Sequence, residues 1–203
     1  MKQLYIIRHG ETRFNKSHLM QGRGINASLN DTGRRQAEAI SIYLKDQPVS
    51  KIVTSSLKRA KESAEPLCRL FNLKREAYTE LDEMDFGDLE GKSFDEVKSE
   101  LVHLHESWSS GKLEIAPENG ENPVQVYKRA NLKVEEILKL SDAECIVFML
   151  HGRLIRILLS EWLGLGLKKM HQIEHQNGAI NTLRWTESGF EAVELNLTSH
   201  LLL

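Results

Sequence analysis

Apolar positions along the chain follow two patterns that alternate. Leu4-Tyr5-Ile6-Ile7, Lys51-Ile52-Val53-Thr54-Ser55 and Cys145–Leu150 are short apolar or β-branched runs, each stopped by polar or Gly residues. Such runs read as buried strands. Between them apolar residues return at every third or fourth position. Ala37, Ile40 and Leu44 make one stripe, and Phe94, Val97, Leu101 and Leu104 a second. Val126, Ala130, Val134, Ile137 and Leu138 make a third, and Leu154, Ile157, Leu158 and Trp162 a fourth. These are amphipathic helices. Thr32 fits the N-cap of the first, Ser55 or Ser56 the cap of a helix running to about Leu70, and Asn122-Pro123 the start of the long one. The second stripe predicts a helix over 93–107. Arg75 to Thr79 fits a short strand, and Ala179–Trp185 and Phe190–Leu195 alternate as strands around Glu187-Ser188-Gly189. Strands alternating with helices predict an α/β fold with a mostly parallel sheet.

The polar stretches between these elements carry the candidate chemistry. Gly10 to Asn30 is a long polar loop, and loops of that length in compact domains are usually functional. Leu81–Gly91, acidic and bearing two glycines, and Gly111–Glu121 also read as loops. Two strands end alike, in Arg8-His9-Gly10 and in His151-Gly152. As parallel neighbours they would bring both imidazoles to the carboxyl edge of the sheet, where α/β folds bind ligands. Arg59, one turn into the helix after the second strand, can reach the same edge. Arg offers a fork of donors that matches phosphate, and neutral His offers a nucleophilic nitrogen.

Composition narrows the partners. A net charge of −2 over 203 residues gives no basic field for nucleic acid. No apolar run is long enough to span a bilayer, and the N-terminus has no signal-peptide core, so a cytoplasmic protein with a single domain is expected. Cys68 and Cys145 lie far apart in apolar surroundings and are expected as free thiols. His171 and His175 have a metal-compatible spacing but no third ligand, and His103 and His105 point to different sides of a helix. Trp108 and Trp162 read as packing residues, and Leu201-Leu202-Leu203 as a frayed or docked tail.

Taken in order, Arg8-His9-Gly10-Glu11-Thr12, Asn15, Gln21-Gly22, Leu29-Asn30-Asp31-Thr32-Gly33, Ser55-Ser56-Leu57-Lys58-Arg59-Ala60, Leu81-Asp82-Glu83, Phe86–Gly91, Gly120-Glu121 and His151-Gly152 with Arg156 resemble the histidine phosphatase superfamily, also called phosphoglycerate mutase-like. The resemblance implies a three-layer α/β fold with a lid or insertion of about 81–121. It implies a metal-independent phosphomonoesterase acting on a small phosphorylated substrate, without organic cofactor. By the same resemblance His9 takes the phosphoryl group as phosphohistidine, and Arg8, Arg59 and His151 surround its oxygens. Asn15, Gln21, Gly22 and Gly152 contact substrate. Glu83 is the general acid, ahead of its neighbours Asp82 and Asp85; that role calls for a site that raises its pKa. The oligomeric state is left open between monomer and dimer.

Two other readings stay open: a cofactor-dependent phosphoglycerate mutase and a non-catalytic phospho-ligand binder. The family's mutases are longer and carry Arg in the segment after the general acid. Here residues 82–127 hold no Arg, three Lys and twelve acids, a lid expected to repel a small dianionic sugar acid unless its charges point outward. The chain therefore looks like the shorter phosphatases, such as α-ribazole phosphatase. It departs from the family's Gln-Gly-x-x-Asp-x-Pro-Leu in having Asn26 and Ser28, and Arg153 stands where a smaller residue is common. Arg23 and Arg153 are the candidates for tuning substrate choice.

Overall fold

The computed structural model describes residues 1–202. Six strands form one sheet: β1 (Lys2–Arg8), β2 (Lys51–Ser55), β3 (Arg75–Tyr78), β4 (Cys145–Leu150), β5 (Ile180–Thr186) and β6 (Gly189–Leu197), in the order β3-β2-β4-β1-β5-β6. The first four in that order are parallel, and β5 and β6 add an antiparallel ribbon beside β1. Every residue of β4 is buried, as an apolar run in the middle of a covered sheet requires.

Alternation along β1 divides the core. Leu4 and Ile6 face one side with Val53, Ile146 and Phe148; Tyr5 and Ile7 face the other with Ile52, Val147 and Met149. Helices α2 (Asp31–Leu44) and α3 (Lys58–Phe71) cover the second side through Ile40, Leu44, Ala60, Ala64 and Leu67. Helices α5 (Pro123–Leu140) and α6 (Gly152–Trp162) cover the first through Val126, Val134, Leu154 and Leu158, joined there by Trp108 of α4 (Lys98–Ser109). Trp108 and Trp162 are thus packing residues, as expected.

Several helix starts differ from expectation, and in α2 and α3 another polar group does the capping. Asn30, not Thr32, caps α2, its Oδ1 accepting from Gly33 N at 2.8 Å. Neither Ser55 nor Ser56 caps α3: Leu57 occupies that position, and Asn26 reaches across to accept from Lys58 N at 2.8 Å. The two serines are engaged elsewhere, with His151 and Asp82. Helix α4 begins at Lys98 because Ser93 and Glu96 close a turn first, Ser93 N and Oγ both donating to the Glu96 carboxylate. The long polar loop contains a one-turn helix, α1 (Arg13–Lys16), held by a Thr12/Asn15 capping box. Segment 81–91 is a loop with a 3-10 turn at Gly87–Leu89. Both cysteines are free, Cys145 buried and Cys68 half-buried. Ser199–Leu202 is a 3-10 turn with Leu201 against Gly178, so the tail docks as far as it is described; Leu203 lies outside the described residues.

Candidate active site

Backbone pairing brings the two imidazoles together. Arg8 is the register partner of Leu150 on the neighbouring parallel strand, so His9 and His151 leave β1 and β4 side by side. Their ring centroids lie 5.2 Å apart, and both side chains are buried. The chain then turns sharply at Gly10. A Cβ there would lie 2.4 Å from the Gly33 carbonyl oxygen, so the loop and the start of α2 can approach only with glycine at this position.

His9 has a fixed tautomer. Its Nδ1–H donates to the Gly10 carbonyl at 2.7 Å, which leaves the Nε2 lone pair free. Burial, then the Arg59 and Arg8 charges, push its pKa well below the ordinary histidine value, so the ring is neutral near pH 7. His151 is fixed the other way round. Arg59 Nε–H donates to His151 Nδ1 at 3.2 Å, so the proton sits on Nε2 and reaches Ser55 Oγ at 2.6 Å. Burial and Arg59 hold its pKa well below the usual value too.

Arg59 is fully buried on the first turn of α3. Its Nη groups donate to the carbonyls of Ile25 at 2.5 Å and Gly22 at 3.1 Å. Gln21, oriented so that its amide donates to Thr12 Oγ1 at 2.6 Å, turns its oxygen to Arg59 at 3.0 Å. Burial pulls Arg59 and Arg8 down to about 10, which leaves both cationic at neutral pH. Asn15 Oδ1 accepts from Thr12 and from Asn177, so its amide NH2 is the end left for a ligand. Gly22 stands behind Arg59, with Glu90 against it.

Of the three neighbouring carboxylates, only Glu83 opens on the cavity. Asp82 accepts from Ser56 N and Oγ, and Asp85 accepts from Gly87 N. Glu83 instead lines a cavity of about 830 Å³ together with Arg8, Asn15, Gln21 and Gly152. Backbone donors hold Glu83 in place: Oε1 accepts from Met84 N and Leu154 N, and Oε2 from Arg153 N, each at 2.9 Å. Two of those donors are among the free N–H groups of the first turn of α6, which need an acceptor in any fold.

Arg129, unmarked by any sequence signal beyond its place on a helix, holds this loop. Its Nη1–H groups donate to the Glu80 and Asp82 carbonyls at 2.7 and 2.9 Å, and Nη2 donates to the Glu83 carbonyl at 3.0 Å. Nε and Nη2 also pair with the Glu121 carboxylate. Of the two residues expected to tune substrate choice, Arg23 is tied to Asp82 and Glu121, each at 3.7 Å, and does not line the cavity. Arg153 does, and so do Arg156, His171 and His175. Of the twelve acids in 82–127, only Glu83, Asp95 and Glu106 line it. Among the described residues, no three His, Cys, Asp or Glu side chains gather as a metal site would require, and no helix is long and apolar enough to cross a membrane.

The family model described as histidine phosphatase superfamily (branch 1) matches residues 4–198. The chain belongs to this superfamily. It is 32% identical over 160 residues to phosphoglycerate mutase-like protein 4 of Arabidopsis thaliana, covering 77% of this chain and 69% of that protein. Its fold matches the mycobacterial glucosyl-3-phosphoglycerate phosphatase solved with VO3 at a TM-score of 0.88, with 26% identity over 98% of this chain and 100% of the other. A putative α-ribazole-5′-P phosphatase of Escherichia coli shares the fold at a TM-score of 0.85 and 22% identity, covering 97% and 96% of the two chains. The histidine phosphatase membership and the phosphoglycerate mutase-like fold agree with the resemblance carried by the sequence motifs, and they place the chain among enzymes of phosphatase or mutase type.

Proposed function

We propose that this member of the superfamily is a metal-independent phosphomonoesterase working through a phosphohistidine on His9. The observation that carries the reading is the free Nε2 lone pair of a buried, neutral His9 beside Arg8, Arg59 and His151. A phosphate monoester with its phosphorus against Nε2 would have its equatorial oxygens among fixed cations, which stabilise spread negative charge without reorganisation. The arginines supply that charge, so the chemistry calls for no metal.

In the first step the Nε2–P bond forms as the ester P–O bond breaks, and the leaving oxygen takes a proton from Glu83. Glu83 thereby serves as the general acid of this step. In the second step Glu83 takes a proton from water while the water oxygen attacks phosphorus. The P–N bond breaks, the electron pair returns to Nε2, and orthophosphate leaves. Asn15, Gln21 and Gly152 would hold the substrate, and segment 81–121 would form the lid over it. The mutase reading shares the first step and replaces water with a second phospho-acceptor.

The test is orthophosphate release, in EDTA, from p-nitrophenyl phosphate, 3-phosphoglycerate, α-ribazole phosphate and sugar phosphates. Release that survives EDTA and disappears in His9→Ala supports the phosphatase. Isomerised phosphoglycerate without release would favour the mutase, and neither product from folded protein would favour a binding module.

A further inference from the structure

The cavity contains cations that the phosphoryl end does not use. Arg153 and Arg156 stand one turn apart on α6, and both line the cavity that also holds Arg8 and Glu83. Among the described residues, neither makes a salt bridge to an acid. Arg153 Nη1 donates to His171 Nδ1 at 3.2 Å, which places the His171 proton on Nε2. That N–H is buried without a partner, as are Arg156 Nε–H and Arg8 Nε–H. Folded chains rarely leave buried donors unpaired, and those of His171 and Arg156, on residues that line the cavity away from the phosphoryl end, point to an acceptor that arrives with a ligand.

The surroundings fix these groups in place. The Arg153 guanidinium lies over the Trp108 ring at 5.5 Å, and His171 stacks on the same ring at 6.1 Å between centroids. Arg156 lies near enough to Arg8 and to Arg153 for its charge to lower the pKa of both. Asp95 and Glu106 also line the cavity, but they come from the lid side, with Leu101 and Val102.

We propose that Arg153, Arg156 and His171 form a second anion subsite, so that the preferred substrate is a phosphomonoester whose alcohol portion carries another acidic group. This rests on the phosphatase reading above. Segment 82–127 supplies no Arg for a substrate carboxylate; α6 would supply two. His175 adds a neighbouring contact: its Nε2–H donates to the Gly152 carbonyl at 2.6 Å, leaving buried Nδ1 to accept from a substrate hydroxyl.

The experiment compares kcat/KM within matched pairs: 3-phosphoglycerate against glycerol 3-phosphate for a carboxylate, and fructose 1,6-bisphosphate against fructose 6-phosphate for a second phosphate. The wild type should prefer the more acidic member of at least one pair by about tenfold or more, one bidentate anion contact's worth. Which pair shows it identifies the group. Arg153→Gln and Arg156→Gln should each cut that preference by a similar factor, mainly through KM. Preference in neither pair, or a preference untouched by both substitutions, overturns the proposal. Should a glutamine variant not fold, Arg156→Lys replaces it, and the wild-type ratio still decides. If no compound, p-nitrophenyl phosphate included, releases orthophosphate, the phosphatase reading fails instead. Calorimetric titration of the wild type and Arg156→Lys with the same acids would then test the subsite by itself, and equal affinities would refute it.

Discussion

Three histidines packed neutral around the site make the fold sensitive to mild acid. His9 and His151 have pKa values held well below the ordinary value by burial and then by Arg59, and His175 is pushed down to about 3 by burial and Arg8. In the unfolded chain each titrates near 6.5. The unfolded state therefore binds more protons below that value, and stability present above pH 6.5 is lost as pH falls. Between about pH 7.5 and 5.5 the three together remove about 4 kcal/mol. His171, lowered but more accessible, acts in the same direction with screening, and buried His200 is lowered as well. Glu90, whose carboxyl is raised by burial, works weakly the other way. Against a typical total of about 5–15 kcal/mol this is a large share. Urea unfolding followed by circular dichroism at about three pH values measures it; with a slope of about 2 kcal/mol per molar, the midpoint should move by about 2 M. His175→Gln should reduce the pH dependence by about a third. A midpoint that stays put between pH 7.5 and 5.5 would refute the neutral, buried state of these rings.

Glu83→Gln should slow hydrolysis of alkyl phosphates by about 10²- to 10⁴-fold but p-nitrophenyl phosphate far less, because a good leaving group needs no acid; equal losses in steady-state assays would remove Glu83 from that role. Gly10→Ala places a Cβ 2.4 Å from the Gly33 carbonyl oxygen, and should cost about 2 kcal/mol or more, read as a fall in Tm of about 6 °C. An unchanged Tm would mean that the turn is slack. Arg129→Leu removes the donors that hold the Glu83 loop, and should depress kcat for alkyl phosphates more than for p-nitrophenyl phosphate. A uniform loss across both would make Arg129 structural only.

The strands and the site's skeleton were readable because each follows from a local rule. Cys145–Leu150 is too apolar to be anything but central, and two His-Gly strand ends had to share an edge if their strands were parallel. The helix starts were less readable. A serine before a helix looks like a cap, but Ser55 is taken by His151 and Ser56 by Asp82, partners from distant parts of the chain. Arg129 and the Arg153–His171 pair were invisible for the same reason. Their meaning depends on which carbonyls, rings and cavities lie opposite, and periodicity records only which face of a helix is buried. The acidity of residues 82–127 is a sum over side chains, most of which turn away from the cavity, the outward arrangement the sequence reading allowed for.

The register Arg8 to Leu150 has a consequence for how this scaffold can change over time. The distance between the paired imidazoles is set by two adjacent backbones, with His9 N donating to the Leu150 carbonyl at 3.0 Å. The rings' hydrogen-bond partners are Gly10, Ser55 and Arg59, none of them in residues 81–121. Substitutions at the cavity-lining positions Phe94, Asp95, Lys98, Leu101 and Val102 can thus remodel what the cavity admits while the paired imidazoles and Glu83 stay as they are. A one-residue slip of β1 against β4 would do the reverse, swinging one ring to the opposite face of the sheet while every loop stayed intact. Inheritance in such a protein is divided: the paired imidazoles are held by strand pairing, and the far wall of the cavity is free to drift.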